Sequence, residues 1–312
     1  MMDSRGRVAI VGVGRVGTAM SSLLSSRGYT VVEVVDSSEF ARERAAALSG
    51  AEATTDPAGA TGGADIILIT TPDDAIEETC GRIADSGIDL SGKKFIHMSG
   101  VLSLDALDSA QRGGADVLSI HPLQTFPDLE GALEALPGSA FGVTCAPELE
   151  EWAEEFVSNL DGRTQFIENT DKVLYHVAAV MASNMLAIVE YGALSIAREL
   201  GFSDDGFTEA FMPLARATLD NVGRLGPAGA LTGPLARGDV GTIREHLEAL
   251  ERFNSELAAM YRTVCLWGLE LVGERGDLDP DTLEEMRKLL GSDPGMGGMG
   301  SSLGMWGHDS TT

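Results

Sequence analysis

The chain begins with a short apolar run that leads into a glycine-rich turn. Residues 8 to 13 are apolar apart from Gly12, which predicts a buried strand. Gly12, Gly14 and Gly17 then follow the spacing G-x-G-x-x-G at the start of an amphipathic segment. A strand, a tight turn and a helix in this order are typical of a dinucleotide-binding site. Because the chain contains 38 glycines, a glycine-rich turn of another kind of α/β protein is the alternative.

Strand and helix patterns alternate from this turn to residue 168. A second strand covers Thr30 to Val35, and a charged helix runs from about Glu39 to Leu48. Further apolar strands are predicted at 64–70, 94–98, 116–120, 140–145 and 164–168. This alternation predicts the α/β class, with a doubly wound Rossmann-type parallel sheet in a first domain of residues 1–168.

The carboxyl ends of these strands carry small, polar or ionisable residues, and ligands of such sheets bind at those ends. The charge of Asp36, about twenty residues beyond the glycines, favours NAD because it repels the 2′-phosphate of NADP. Ser37, Ser38, Arg42 and Arg44 are close enough in sequence to leave NADP open. The residues predicted to bind the cofactor are Gly12, Gly14, Arg15, Val16, Gly17, Asp36, Ser37, Thr71, Pro72, Asp73 and Ser99.

The periodicity becomes helical after residue 168. Asp171 to Leu200 forms one long, mostly apolar helical pattern, and most of the chain to residue 290 is helical except for a loop at 226–239. We predict an all-α domain at 169–290 and a disordered tail at 291–312. The long helix is too apolar to be exposed, so we expect it to pack in a core or against a second copy. Its run from Val177 to Val189 is shorter than a membrane span requires.

Composition limits the classes of partner and site. A net charge of −26 argues against nucleic acid and anionic membrane surfaces, which are themselves polyanions. Three widely spaced cysteines without a C-x-x-C pair indicate neither a disulfide framework nor a metal site. The charged first residues do not resemble a signal peptide, so we expect a cytoplasmic location.

Four polar side chains follow one stripe of the predicted long helix. Lys172 and His176 are four residues apart, Ser183 lies three turns on from Lys172 at nearly the same angle, and Asn184 lies on the edge of that arc. We interpret the stripe as a substrate wall, with Lys172 or His176 as proton donor and Ser183 and Asn184 as hydrogen-bonding groups. The alternative is an exposed lysine near the helix start and three polar side chains with partners in the core.

Two loops contain further candidates for substrate binding. His121 and Gln124 follow a strand end, where they could face the nicotinamide or the substrate; alternatively, a backbone bond of His121 only holds the loop. Thr232 and Arg237 lie in the segment 231–239, and Arg237 could bind a carboxylate with two hydrogen bonds or pair with Asp239. His97 lies inside a strand pattern and is predicted to be a core residue.

Five segments together resemble a known bacterial and archaeal family of oxidoreductases: GVGRVG, ADIILITTPDDAI, SIHPLQTF, KVLYHVAAVMASN and ALTGPLARGD. That family joins a Rossmann-like domain to a helical C-terminal domain of unknown function, and the resemblance covers residues 5 to 290. It is similar to 6-phosphogluconate and 3-hydroxyisobutyrate dehydrogenases, pyrroline-5-carboxylate reductase and ketopantoate reductase. The resemblance implies an NAD(P)-dependent enzyme whose 6-phosphogluconate-dehydrogenase-like helical domain forms a homodimer.

The resemblance also suggests roles for residues of the long helix. In the ketopantoate and hydroxyisobutyrate enzymes, a lysine on this helix is the catalytic acid and an asparagine follows three or four residues later. Lys172 matches that lysine, whereas His176 occupies the place of the asparagine and could itself be the acid. Some proteins similar to the family act as alternative ketopantoate reductases that supply pantoate for coenzyme A synthesis.

The predicted function is NAD(P)H-dependent reduction of a small, carboxylate-bearing 2-oxo acid of the ketopantoate kind. Lys172, assisted by His176, would donate the proton, and Arg237 would bind the carboxylate. Two alternatives stay open at this point: a non-catalytic module that senses the dinucleotide, and an oxidoreductase that acts on an imine or a deazaflavin.

Overall fold

The computed structural model describes residues 5–291, so nearly all of the predicted tail lies outside the described residues. One compact unit ends at Ala187 and a second begins at Ile188. The predicted domain boundary lies after residue 168, so residues 169–187, which the prediction gives to the helical domain, belong to the first unit. Each unit is described separately below.

The first unit is built on a single sheet. Its strands, in the spatial order β3-β2-β1-β4-β5-β6-β7-β8, confirm the predicted α/β class. The strands of the described chain are β1 (Arg7–Val11), β2 (Thr30–Val35), β3 (Glu52–Thr54), β4 (Ile66–Ile69), β5 (Lys94–His97), β6 (Asp116–Pro122), β7 (Ala140–Thr144) and β8 (Arg163–Phe166).

Helices cover both faces of this sheet, because the central strands are apolar on both sides. Val8 and Ile10 of β1 face one core, which Phe141 and Phe156 share, while Ala9 of the same strand faces the other core. The helices are α1 (Arg15–Ser26), α2 (Glu39–Ser49), α3 (Pro57–Gly62), α4 (Asp73–Ala84), α5 (Asp108–Arg112), α6 (Leu129–Ala135) and α7 (Glu150–Asn159), with short 3-10 turns at Leu104–Leu107 and Pro147–Leu149.

The sheet departs from the predicted all-parallel arrangement at one place. β7 is antiparallel to β6, and β8 is parallel to β7. After β6, the chain passes only through the short helix α6 and enters β7 at the edge where β6 ended, so no crossover to the other edge is made. Alternation of apolar runs gives the existence of these strands but not their direction.

The predicted long helix is two helices, α8 (Lys172–Ala182) and α9 (Asn184–Glu199). Ser183 lies between them with non-helical angles, φ −127° and ψ −68°. Its hydroxyl donates to the carbonyl of Ala179, one turn back, and bonds of this kind bend helices. The prediction of one continuous helix is therefore wrong at Ser183.

The apolar faces of α8 and α9 are exposed in the single chain, with Leu174 73% and Met181 59% accessible. The prediction that this stretch packs in the core of its own chain is therefore wrong. That it packs against a second copy stays a prediction. By length and composition alone, Lys172–Glu199 would pass for a membrane span, with a mean hydropathy of 1.6. Most of the stretch is not buried within the structure, although Lys172 at its start is buried.

The rest of the second unit is helical. Leu235, Ile243 and Leu269 belong to its core, together with Met286 and Leu290 of the last helix. Part of the predicted loop at 226–239 is helical, since a helix bent at a positive-φ glycine, Gly226, continues to residue 230. Its helices after α9 are α10 (Asp204–Ala230), α11 (Gly233–Arg237), α12 (Val240–Phe253), α13 (Ser255–Arg275) and α14 (Pro280–Gly291).

Candidate active site

The glycines of the first turn have the three geometries that the motif requires. Gly12 has a φ of +93°, and a methyl group there would lie 2.6 Å from the backbone nitrogen of Thr71. A methyl group at Gly17 would lie 2.1 Å from the carbonyl oxygen of Gly12, so only glycine allows α1 to pack this closely. Gly14, the N-cap of α1, is exposed and would meet nothing within 4 Å. The turn is therefore tightly packed at Gly12 and Gly17 and open at Gly14.

Asp36 joins the end of β2 to this turn. One of its carboxylate oxygens accepts from the Val13 amide and the other from the Ser38 amide, each at 2.9 Å. Ser37 is exposed next to it. The Arg42 guanidinium donates to the carbonyl oxygens of Asp36 and Ser37, so this cation is held against the backbone of the same loop.

Polar groups also lie at the ends of β4 and β5. The hydroxyl of Thr71 is buried without a hydrogen-bond partner in the described chain. Pro72 is the N-cap of α4, and Asp73 begins the helix. The Ser99 hydroxyl donates to an Asp73 carboxylate oxygen at 2.8 Å, so the loop after β5 is tied to the start of α4.

Lys172 is buried at the same edge of the sheet, with only 2% of its surface accessible. Its ammonium donates to the Ser119 hydroxyl at 2.6 Å and to the Ser99 carbonyl oxygen at 3.2 Å. Burial lowers the pKa of Lys172 to about 8, although the nearby charge of Asp73 opposes this change. A lysine with this pKa exchanges its proton near neutral pH, as a general acid must.

The reversed strands explain why the start of α8 lies at this edge. His97, near the end of β5, pairs with Ser119 of β6, which in turn pairs with Thr144 at the end of β7. Phe166, the last residue of β8, pairs with Val143, which directly precedes Thr144. Because β7 and β8 run opposite to β5 and β6, β8 ends near the level where β5 ends. The chain then enters α8 next to the loop that contains Ser99.

Three rings lie beside Lys172. The Nδ1 atom of His121 is 2.9 Å from the Tyr175 hydroxyl, and the His121 and His176 rings meet edge to face with centroids 6.0 Å apart. Burial, together with the neighbouring His176 and Lys172, lowers the pKa of His121 to about 4. His97, fully buried as predicted, accepts from the Ser99 amide. Sequence reasoning missed Tyr175, although it lies three residues from Lys172 and therefore on an adjacent part of the helix surface.

Gln124, Ser183 and Asn184, which are also predicted to bind substrate, make their hydrogen bonds away from Lys172. Gln124 is exposed; its amide nitrogen donates to the carbonyl of Ala135 at the end of α6, and its side-chain oxygen accepts from the Thr125 amide. Ser183 and Asn184 bond to each other, and Ser183 lies about 16 Å along the helix axis from Lys172 at the usual rise per residue. Thr232 and Arg237 belong to the second unit, where a guanidinium nitrogen of Arg237 lies 3.9 Å from a carboxylate oxygen of Asp239. Substrate contacts of these five residues stay predictions.

Comparisons with known proteins agree with this arrangement. Residues 1–122 match the Rossmann-like domain family, and residues 139–266 match a domain of unknown function, DUF2520. The chain thus combines a Rossmann-like domain with a DUF2520 domain. This is the pair of domains that the sequence resemblance predicts. The DUF2520 match begins just before β7, so the two reversed strands and α8 fall within it.

The relatives carry the names of NAD(P)-dependent oxidoreductases. A glycerol-3-phosphate dehydrogenase [NAD(P)+] of Prosthecochloris aestuarii is 27% identical over 225 residues, which cover 64% of this chain and 62% of that protein. The chain therefore matches less than two thirds of the length of this curated relative.

Solved structures share the fold over most of the chain. A protein from Thermotoga maritima is 22% identical, with a TM-score of 0.68, and the match covers 86% of this chain and 99% of the other. The imine reductase of Myxococcus stipitatus in complex with NADP+ is 18% identical, with a TM-score of 0.63, and the match covers 90% and 99%. At these identities the likeness shows the fold alone.

Proposed function

We propose that the protein is an NAD(P)H-dependent reductase of a small 2-oxo acid. The observation that carries this proposal is the ammonium of Lys172, buried against the loop after β5, at the same carboxyl end of the sheet where the glycine turn follows β1. Among residues 5–291, no carboxylate forms a salt bridge with the Lys172 ammonium, although Asp73 is near enough to raise its pKa. A buried cation without a direct counter-ion is costly, and an anionic substrate would supply the missing charge.

The turn and the loops beside it fit a dinucleotide. Gly14 leaves open space at the N-terminus of α1, where backbone N–H groups and the helix dipole favour a pyrophosphate. Arg15 and Val16 would contribute amides there, and the unpartnered hydroxyl of Thr71 would find an acceptor or donor. Pro72, Asp73 and Ser99 would border the nicotinamide, and Asp36 and Ser37 the adenosine ribose. The bound nicotinamide would supply a hydride to the substrate carbon.

Lys172 is proposed as the group that donates the proton. An ammonium has three N–H bonds, and two of them already donate to Ser119 and Ser99. The third is available to a substrate oxygen. As the carbonyl carbon becomes saturated, the electron pair of the C=O double bond moves to oxygen, and that oxygen takes the proton of Lys172. The neutral amine then recovers a proton from water. His176, on the same face of α8, would assist.

Imine reduction is the second candidate, because solved imine reductases share the fold. An iminium substrate is itself a cation, however, and a buried Lys172 cation would repel it. The position of Lys172 therefore favours the 2-oxo acid, and ketopantoate is the first acid to test. If made here, pantoate would serve coenzyme A synthesis.

The test is a screen for oxidation of NADH and NADPH with 2-oxo acids, their methyl esters, cyclic imines and a deazaflavin. The proposal expects turnover with at least one 2-oxo acid and a kcat/KM at least tenfold lower for its neutral ester. Turnover with imines or deazaflavin alone would contradict the 2-oxo acid and make that compound the substrate instead. Tight dinucleotide binding without any turnover would instead indicate a sensing module.

The same proposal includes a homodimer in the cytoplasm. The exposed apolar side chains of α8 and α9 form a surface that a second copy of this chain would cover. A chain with a net charge of −26 is a poor partner for nucleic acid or for an anionic membrane.

A further inference from the structure

His121 and Tyr175 form a hydrogen-bonded pair that the proposed chemistry leaves without a role. The rings meet nearly at right angles, 88° between their planes, with centroids 5.7 Å apart. The bond joins the Tyr175 hydroxyl to Nδ1 of His121 at 2.9 Å. His121 projects from β6 and Tyr175 from α8, so the bond links the sheet to the helix that contains Lys172.

The surroundings decide which partner donates. Tyr175 is half-buried, and His121 Nδ1 is the acceptor within reach of its hydroxyl in the described part of the chain. Burial raises the pKa of Tyr175, and the neighbouring backbone of Gly142 opposes that rise, so the phenol keeps its hydrogen at neutral pH. Since the phenol has one O–H hydrogen and Nδ1 of His121 is the acceptor at hydrogen-bond distance, that hydrogen is directed to His121. A neutral histidine whose Nδ1 accepts holds its proton on Nε2.

Two glycines make room for this arrangement. A methyl group at Gly142 would lie 2.4 Å from the Tyr175 oxygen. At Gly100 it would lie 2.9 Å from His121 Nε2 and 2.7 Å from His176 Nδ1. The two imidazole nitrogens therefore face the same point beside the loop after β5. Nδ1 of His176 is buried and has no hydrogen-bond partner in the described residues.

We propose that Tyr175 is a positioning residue that fixes the tautomer of His121, so that Nε2–H donates to a polar atom of the substrate next to His176. The tautomer is a property of the free protein, whereas the contact with substrate rests on the proposed function. Without Tyr175, Nδ1 would lose its donor, and the proton could move to that nitrogen.

The tautomer is measured on the free protein by long-range ¹H–¹⁵N correlation spectra of histidine-labelled samples near pH 7. The chain has five histidines, and a His121→Asn variant assigns the signals of His121. We expect one neutral Nε2–H tautomer in the wild type. In Tyr175→Phe, we expect the Nδ1–H tautomer to appear beside it, because Nδ1 no longer has a donor opposite it.

A second pair in the chain provides a matched control. His246 Nδ1 lies 3.0 Å from the Tyr261 hydroxyl, with ring centroids 5.9 Å apart, but His246 is exposed and belongs to the second unit. Tyr261→Phe should leave the His121 spectrum unchanged. The proposal is overturned if His121 in the wild type holds its proton on Nδ1 or on both nitrogens, or if Tyr175→Phe leaves the tautomer unchanged.

Kinetics separates positioning from a merely structural role. With the 2-oxo acid found by the screen, Tyr175→Phe should raise KM about tenfold, the value of one lost hydrogen bond, and lower kcat less than threefold. His121→Gln keeps an amide donor near the place of Nε2 and should retain a KM within threefold of the wild type, whereas His121→Asn should not. Equal losses in both variants would contradict the role of Nε2–H. If no substrate is found, the proposed function fails while the tautomer measurement still decides the position of the proton.

Discussion

At the residue scale, the chemistry depends on where a single ammonium lies. Lys172 is one of four lysines in the chain, and it is buried against Ser99 and Ser119 at the end of the sheet. Burial disfavours the charged form of the lysine, which makes the proton easier to release. A lysine in water would release its proton far less readily at neutral pH.

The pH dependence of kcat/KM follows from this environment. Because Lys172 acts as an acid, it must be protonated in the free enzyme, and its pKa is about 8. We expect kcat/KM for the 2-oxo acid to be constant from pH 6 to about 7.5 and to fall tenfold per pH unit above about 8. Steady-state rates at saturating cofactor check this profile. If the fall in kcat/KM at high pH persists unchanged in Lys172→Ala, the titrating group is not Lys172.

Asp36 determines a second prediction, the choice of cofactor. Its carboxylate lies at the turn and would repel a 2′-phosphate by about 1 kcal/mol even in water. Asp36→Ala should therefore raise the affinity for NADPH relative to NADH by fivefold or more in fluorescence titrations. Because Asp36 also accepts from the amides of Val13 and Ser38, Asp36→Asn serves as the control for the lost loop contacts. Equal losses for both cofactors in Asp36→Ala would contradict the charge argument.

At the element scale, α1 and the turn before it separate packing from ligand binding. Gly17→Ala would force a methyl group onto the Gly12 carbonyl, whereas Gly14→Ala would meet no protein atom. We expect Gly17→Ala to lower the free energy of unfolding by about 2 kcal/mol and Gly14→Ala to change it by less than about 0.5 kcal/mol.

Both glycine variants should lose dinucleotide affinity, but for different reasons. Gly14→Ala would place a methyl group where a pyrophosphate approaches, and Gly17→Ala would shift α1. Urea denaturation and cofactor titration measure the two effects. A Gly14→Ala variant that binds the dinucleotide normally would show that the pyrophosphate does not lie at this turn.

The elements that were predictable from sequence are those with strong periodicity. The apolar run that starts at Val8 and the strand that Asp36 follows predicted the glycine turn. Polar side chains on an otherwise apolar helix are costly to bury, and this cost indicated Lys172 and His176 on α8. The direction of β7 left no trace in the pattern, because an apolar strand looks the same from either end. The break at Ser183 depends on one hydroxyl bond that competes with the helix, and Tyr175 was overlooked because its partner, His121, is 54 residues away in sequence.

At the scale of the whole molecule, the exposed apolar surface of α8 and α9 is the feature that one chain leaves unexplained. Met181 and Met185 are exposed on it, 59% and 48% accessible. Large exposed apolar side chains that cluster on a protein surface mark association sites in soluble proteins. This surface also explains why the sequence predicted a buried helix that a single chain does not bury.

Association through this surface is tested by light scattering coupled to gel filtration. We expect twice the mass of one chain for the wild type and a shift to the monomer when Met181→Glu and Met185→Glu are combined, since a carboxylate is costly to bury at an apolar contact. Leu48→Glu, at an exposed apolar position on α2, should leave the mass unchanged. A monomeric wild type would rule out the dimer.

The central claim is that Lys172 protonates a substrate that receives a hydride from the nicotinamide. It is tested most directly by following the label from 4,4-dideuterated NAD(P)H in wild type and Lys172→Ala. We predict one deuterium on the former carbonyl carbon of the 2-hydroxy acid. In the variant, turnover should fall by about 10²-fold or more, with unchanged dinucleotide affinity. Product without deuterium, or near-normal turnover in Lys172→Ala, would contradict the account.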